Sequence, residues 1–294
     1  MRLNLALIMK KSNAYLYSLS VVCFLLTLNT QAQTRFSELG VGLGAANYNG
    51  DLVPGIVVLQ ETRPMLNAFA QTELLPHLNL RGAIMWAQVG GSDAHSKNPG
   101  INLRNLSFRS TILEGSLLAI VDVLNPHTNK IVPYLTGGIA VFKFNPKAKY
   151  QNQWVALQPL GTEGQNLDNE SARFYKLWQM ALPLGAGVRW QFDNGFTIGF
   201  EALQRKLFTD YLDDVSTQYH SYYDLAERRG ELAAALSDRS GEVNGTGMPI
   251  FANSNEQRGN SKNKDWYFTL GITAAYRFET AKNGKKKSSC FGGF

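Results

Sequence analysis

Apolar and polar residues alternate with a period of two through much of the chain, most plainly over residues 179–211. Leu182, Leu184, Ala186, Val188, Trp190 and Phe192 take every second position, and Ala181, Pro183, Gly185, Gly187, Arg189 and Gln191 fill the gaps. That period marks a strand with one bulky apolar face and one small or charged face. Asp193-Asn194-Gly195 follows, and Asn and Gly accept the positive φ of a tight turn. The return strand sets Phe196, Ile198, Phe200 and Ala202 on one face and Thr197, Gly199, Glu201 and Arg205 on the other. In a soluble sheet the polar face meets water. Here the polar face alternates glycine with charge, which suits a crowded interior, while the bulky face points outward.

The same reading predicts strands over residues 37–48, 66–74, 79–89, 105–123, 131–144 and 265–278, in addition to the two of the central hairpin. In the first, Leu39, Val41, Leu43 and Ala45 alternate with Gly40, Gly42 and Gly44. This GxGxG run has no preceding strand and no following helix, so it is a lumen-facing stripe and not a phosphate loop. The facing of 105–123 stays open, because both of its sides carry apolar residues. Long connections (49–63, 90–104, 145–176, 207–264) alternate with short ones (75–78, 125–130, 193–195). That rhythm predicts an all-β fold, an eight-stranded antiparallel transmembrane barrel of the outer membrane with long extracellular loops. A secreted β-sandwich has no reason to alternate its connections so regularly. The even strand count would put both termini in the periplasm of a Gram-negative cell. The run LAERRGELAAAL (225–236) predicts a short helix in the last loop, packed on the barrel rim. Tyr48, Trp86, Trp190, Trp266, Tyr276 and Phe278 are the expected aromatic belts.

An eight-stranded barrel is just wide enough to be filled by its own side chains. Arg81, Arg189, Glu201, Arg205 and Arg277 are therefore expected to form an interior ion-pair network, with Glu73 and Glu114 as further candidates, since buried charges need partners. Such a barrel would conduct nothing useful.

Charge and the chain ends change the picture only slightly. Lys10 and Lys11 precede the apolar run 19–28, and Thr30-Gln31-Ala32 offers small residues for cleavage, which predicts a signal peptide over 1–32. The barrel is expected over 33–280 and a basic periplasmic tail over 281–294. The net charge is +6, but the leader and the tail lysines Lys282, Lys285, Lys286 and Lys287 account for it, leaving the body at about −1. A near-neutral body argues against nucleic-acid binding. Cys23 departs with the leader and Cys290 is left alone, so no internal disulfide is expected.

Candidate chemistry is sparse. His77, His95, His127 and His220 fall in turns or loops with no partner at metal-ligand spacing. Ser216, His220 and Ser221 beside Asp213 and Asp214 would be the only candidates for a lipid-modifying enzyme, and their spacing fixes no triad. Asp210, Asp213 and Asp214 lack the EF-hand pattern and read better as a helix start capped by Thr209 or Asp210. No catalytic, cofactor or metal residue is expected; the predicted partners are outer-membrane lipids.

The blocks LGVGLGAANYNGDL (39–52), YLTGGIAVFKFNPKA (134–148), GTEGQ (161–165), LPLGAGVRW (182–190), RKLFTDYLDDVSTQY (205–219) and LSDRS (236–240) resemble the PorG-like family of Bacteroidetes outer-membrane barrels. The resemblance covers nearly the whole mature chain. It implies a non-enzymatic component of the type IX secretion system. In that role a barrel accompanies a periplasmic ring built from a lipoprotein and its partner protein. The short turns, the termini and Lys282, Lys285, Lys286 and Lys287 would then be the docking surface. The tail KNGKKKSSCFGGF departs from the pattern, since such barrels are expected to end soon after the last aromatic strand. The alternative is a free-standing barrel whose long loops bind an extracellular ligand or surface.

Overall fold

The computed structural model describes residues 35–53, 58–96, 98–167, 173–251 and 256–280. The expected leader and the lysine tail lie outside them. Ten strands follow in chain order: β1 (Arg35–Asn49), β2 (Arg63–Leu75), β3 (Leu78–Ser92), β4 (Ser107–Asp122), β5 (Ile131–Lys143), β6 (Pro146–Tyr150), β7 (Gln153–Ala156), β8 (Trp178–Gln191), β9 (Phe196–Leu207) and β10 (Trp266–Thr280). Eight of them run side by side in the order β3-β2-β1-β10-β9-β8-β5-β4, and β3 also pairs with β4, so the sheet closes on itself. The fold is a closed eight-stranded antiparallel β-barrel, the fold of outer-membrane barrels.

Alternation decides what each wall residue meets. In the central hairpin Leu184, Trp190, Phe196 and Phe200 are half exposed on the outside, whereas Arg189 and Glu201 are 3% and 7% exposed inside. Val188 pairs with Phe200 and Ala186 with Ala202, which keeps the two faces in step across the hairpin. In β4, Phe108, Ser110, Ile112, Glu114, Leu118, Ile120 and Asp122 point inward, and Leu113, Leu117 and Val121 point outward. The two-sided apolar character of 105–123 is thus a lumen-filling set on one face and an outer set on the other. The outer surface adds up to an apolar band far larger than a soluble monomer exposes. Among the described residues no helix is long and apolar enough to cross a membrane; crossing falls to the strands. The stripe of glycines in β1 is forced by crowding. A Cβ on Gly40 would lie 2.3 Å from the Phe69 ring, and one on Gly42 2.3 Å from Asn67 Oδ1.

The connections divide the barrel into two ends. At the turn end Pro76-His77, 123–130 and 192–195 are short. At the loop end the four long connections fold together into a cap. Its core joins Tyr48, Leu52 and Val53 to Leu106, Phe108, Phe144, Leu157, Leu212, Val215 and Leu236.

Four features of the cap differ from the sequence reading. The connection 145–176 contains the β6–β7 hairpin, which continues the sheet by pairing Lys147 and Pro146 with Arg109 and Ser110 of β4. Its turn, Gln151-Asn152, uses two residues at positive φ (44° and 69°). The helical insert is two helices, α2 (Tyr222–Arg229) and α3 (Glu231–Ser237), broken at Gly230, whose φ of 93° no helix accepts. (The other described α-helix, α1, is Pro99–Arg104.) No helix starts at Thr209 or Asp210; the cap of α2 is Ser221, whose hydroxyl accepts from the Asp224 N–H. Finally, Tyr48 is not a belt residue. It is fully buried on the inner face of β1, because its side chain follows Gly40, Gly42, Gly44 and Ala46 inward.

Candidate functional site

Two buried polar systems lie inside the molecule, one in the lumen and one under the cap. In the lumen, Arg81 lies 2.5 Å from Glu201, Arg189 2.5 Å from Asp122, Arg205 3.0 Å from Glu114 and Arg277 2.7 Å from Glu38. The expected network is four separate arginine–carboxylate pairs, with Tyr134 as a link. Its hydroxyl donates to Glu201 (2.7 Å), and Arg81 and Arg189 both lie near its ring. Glu114 also accepts from Arg205's neighbour across the sheet, the Tyr267 hydroxyl, and Arg205 donates to Thr269. Glu73 pairs with His127 at 2.9 Å. Glu38 and Asp122 escaped the sequence reading, although each sits at an even step from an inward residue of its own strand. Lys282, Lys285, Lys286 and Lys287 lie outside the described residues.

Under the cap, residues from all four long connections meet Tyr48 at the end of β1. The Tyr48 hydroxyl lies 2.5 Å from Asp213 Oδ2 and 3.1 Å from Asp265 Oδ1. Thr162 and Tyr175 donate to Asp214, and Ser216 donates to Asp210. Arg258, 2% exposed, pairs with Glu163 at 2.9 Å and donates to the carbonyls of Asp214 and Ser237. Arg104 holds Asp93 at 2.7 Å and donates to the carbonyls of Asp51 and Arg258.

Burial dominates the electrostatics of this cluster. It lifts the carboxyls of Asp213 and Asp265 well above the usual range, and Asp213 and Asp210 repel the charge on Asp265. It pushes Asp210 up to about 7 against the Ser216 hydroxyl, and Asp214 up to about 6 against Arg258. Donor counting agrees. A phenol carries one proton, so Tyr48 satisfies one of its two carboxyl contacts, and the other is a hydrogen bond only if that carboxyl brings its own proton.

The residues weighed for catalysis do not assemble. Ser216 donates to Asp210, His220 Nε2 lies 2.5 Å from Asp224, and the Ser221 hydroxyl caps α2. No group of three His, Cys, Asp or Glu side chains suited to a metal ion occurs among the described residues.

A family model described as a domain of unknown function, DUF6089, matches residues 17–234, about three quarters of the chain. The chain belongs to the DUF6089 family. No curated protein matches it. Among solved structures it is similar to Ail, the attachment invasion locus protein of Yersinia pestis, with 11% identity over 84% of this chain and 100% of that one, at a TM-score of 0.40. It is similar to Neisserial surface protein A (8%, 85% and 100%, TM-score 0.39) and to OprG from Pseudomonas aeruginosa (9%, 85% and 98%, TM-score 0.37). These are faint likenesses to outer-membrane barrels and say nothing about role.

Two concavities stand out on this DUF6089 barrel. One, of about 670 Å³, lies on the outer wall where Ala68, Ala70, Gly82 and Gly115 leave a hollow between Leu39, Ile84 and Leu117. It is apolar and lies within the band that lipid tails would cover. The other, of about 650 Å³, lies in the cap and is polar, with Glu163, Thr217, Gln218, Gln257, Asn260 and Lys262 among its walls.

Proposed function

We propose that this chain is a non-enzymatic structural barrel of the outer membrane, with both termini in the periplasm and its lumen closed to ions. The carrying observation is the filling of the lumen by four paired arginines. Arg81, Arg189 and Arg205 are only 3–5% exposed, so each has given up its water and is compensated by its carboxylate partner, as in a packed interior and not in a wet channel. The finer proposal is an anchor role in the type IX secretion system, docking a periplasmic ring lipoprotein and its partner through the short turns and termini. The resemblance of six sequence blocks to the PorG-like family supports it, as does a turn end built of short, well-braced loops. The test is purification of a loop-tagged version from solubilised outer membrane, with identification of what accompanies it. Recovery of a periplasmic lipoprotein and its partner at stoichiometric yield is expected. Recovery of the barrel alone, under conditions that keep other membrane complexes together, would remove the anchor role.

A second reading, a barrel whose loop end meets an extracellular ligand, is favoured by where the resembling blocks fall. GTEGQ contributes Glu163, TDYLDDVS contributes Asp210, Asp213, Asp214 and Ser216, and LSDRS contributes Ser237 and Asp238. These residues meet one another in the cap and not at the turn end: Thr162 bonds Asp214, and Ser237 bonds the Thr162 carbonyl at 2.5 Å.

A further inference from the structure

We propose that the polar cavity of the cap is a binding site for a neutral oligosaccharide; the proposal rests on the second reading above. Pockets for ordinary small molecules are mostly apolar with a few polar groups. This one is the reverse. Its mouth is formed by the exposed side chains of Thr217, Gln218, Gln257 and Lys262, and its inner wall by Glu163 and Asn260. The Gln218 amide offers a donor beside an acceptor. The Gln257 amide gives one N–H to the Gly259 carbonyl and keeps its second N–H and its oxygen, and the Thr217 hydroxyl, its proton held by Glu163, keeps acceptor capacity. A sugar presents the same pairing at every hydroxyl.

The charge in the cavity points away from an ionic ligand. Glu163 is consumed by its surroundings: its carboxylate accepts from the Ser216 and Thr217 N–H groups (2.8 and 3.1 Å), from the Thr217 hydroxyl (2.7 Å) and from Arg258 (2.9 Å). His220, at the edge, is held by Asp224. Lys262 remains as a single exposed ammonium, too little to capture a polyanion against salt.

The walls are held rigid, which lowers the entropic cost of binding. Gln218 and Gln257 are bridged through their backbones, the Tyr219 N–H donates to Glu256, and the N–H groups of Arg258 and Gly259 donate to Thr217. Gly259 admits no larger residue, because a Cβ there would lie 2.5 Å from Asp51 Oδ2 and 2.6 Å from the Ser216 nitrogen. Glu163, on the inner wall, is anchored from behind by its pair with the buried Arg258. Tyr219, which also lines the cavity, stacks on Phe251 with ring centres 4.7 Å apart.

The full-length protein in lipid nanodiscs is to be screened on an array of neutral and charged oligosaccharides together with extended peptides, beside Gln218→Ala and Gln257→Ala. Both side chains are exposed, so the cap should fold normally, and unchanged protease resistance of the cap checks this. The expected result is binding of neutral oligosaccharides, weakened about tenfold by each substitution. Binding that both substitutions leave unchanged would place the site elsewhere and overturn the proposal. Selective binding of peptides or of charged glycans, weakened by the same substitutions, would overturn the sugar assignment while keeping a ligand at the loop end. No binding by any probe would overturn the assignment and the loop-end reading together.

Discussion

The lumen and the cap bury charge in opposite ways. In the lumen each arginine has its own carboxylate, so charge is balanced pair by pair. Under the cap, Asp51, Asp213 and Asp265 crowd around Tyr48 and Asp210 acts on Asp265, with Arg104, Arg258 and Lys264 as the cations that oppose them. The lumen therefore compensates its charges within itself, while the cap carries carboxyls that burial pushes towards their protonated form. The barrel wall is a fixed scaffold, and the cap is the part whose stability the surroundings can tune.

The largest expected effect comes from breaking one lumen pair. Glu114→Ala strands Arg205 in the interior and should cost about 3–5 kcal/mol. Urea titration of the folded barrel in lipid vesicles measures it. The double change of Glu114 to Gln and Arg205 to Met should recover much of that loss; if it does not, the pair is more than mutual compensation.

The cap should answer to pH instead. Asp210 is raised from 3.8 to about 7 and Asp214 to about 6. Below about pH 4 these carboxyls are protonated folded or unfolded, and the cap is at its most stable. As pH rises from about 4 the unfolded cap ionises while the folded one resists, so stability falls by about tenfold in opening equilibrium per pH unit for each carboxyl. The fall ends at about pH 6 for Asp214 and about pH 7 for Asp210, where the folded groups ionise too. Hydrogen exchange of cap amides, corrected for intrinsic rates, should show the decline, and Asp210→Asn should make it shallower between about pH 6 and 7, above the range in which Asp214 contributes. Lumen amides showing the same slope would erase the contrast between the two regions.

The smallest effect belongs to the turn end. Lys130 and Asp193 lie 2.8 Å apart, but their side chains are 66% and 84% exposed. Lys130→Ala should change stability by less than about 1 kcal/mol in the same urea titration.

Much of the wall was legible because a period of two needs only local sequence. The cap was not, because its contacts join distant residues: Tyr48 and Asp213 are 165 positions apart, and Asn260 reaches back 209 to Asp51. Local signals even misled. Tyr48 stands near a strand end and reads as a belt aromatic, yet its parity with Gly40, Gly42 and Gly44 already pointed inward. The same parity test would have found Glu38. Asp122 was harder, since the facing of β4 cannot be read from two apolar sides. The Thr209–Asp214 segment looked like a helix start because Thr and Asp favour caps. Instead the Thr209 hydroxyl accepts from the Tyr211 N–H and Asp210 from Ser216 in a local turn, while Asp213 and Asp214 are taken by the distant Tyr48, Thr162 and Tyr175.

The β6–β7 hairpin has a consequence for how the protein avoids sticking to itself. Strand β4 outruns β5: it pairs with β5 over Leu113–Asp122, and beyond that β6 takes over at Ser110 and Arg109. On its other side β3 accompanies it from Val121 to Ser107. A strand rising past the rim of a barrel would otherwise offer unpaired N–H and C=O groups as a template for a second chain. Handing β4 from one partner to the next moves the open edge to β7, which at four residues is too short to serve as a useful template, so the rim can rise past the wall without inviting fibrils.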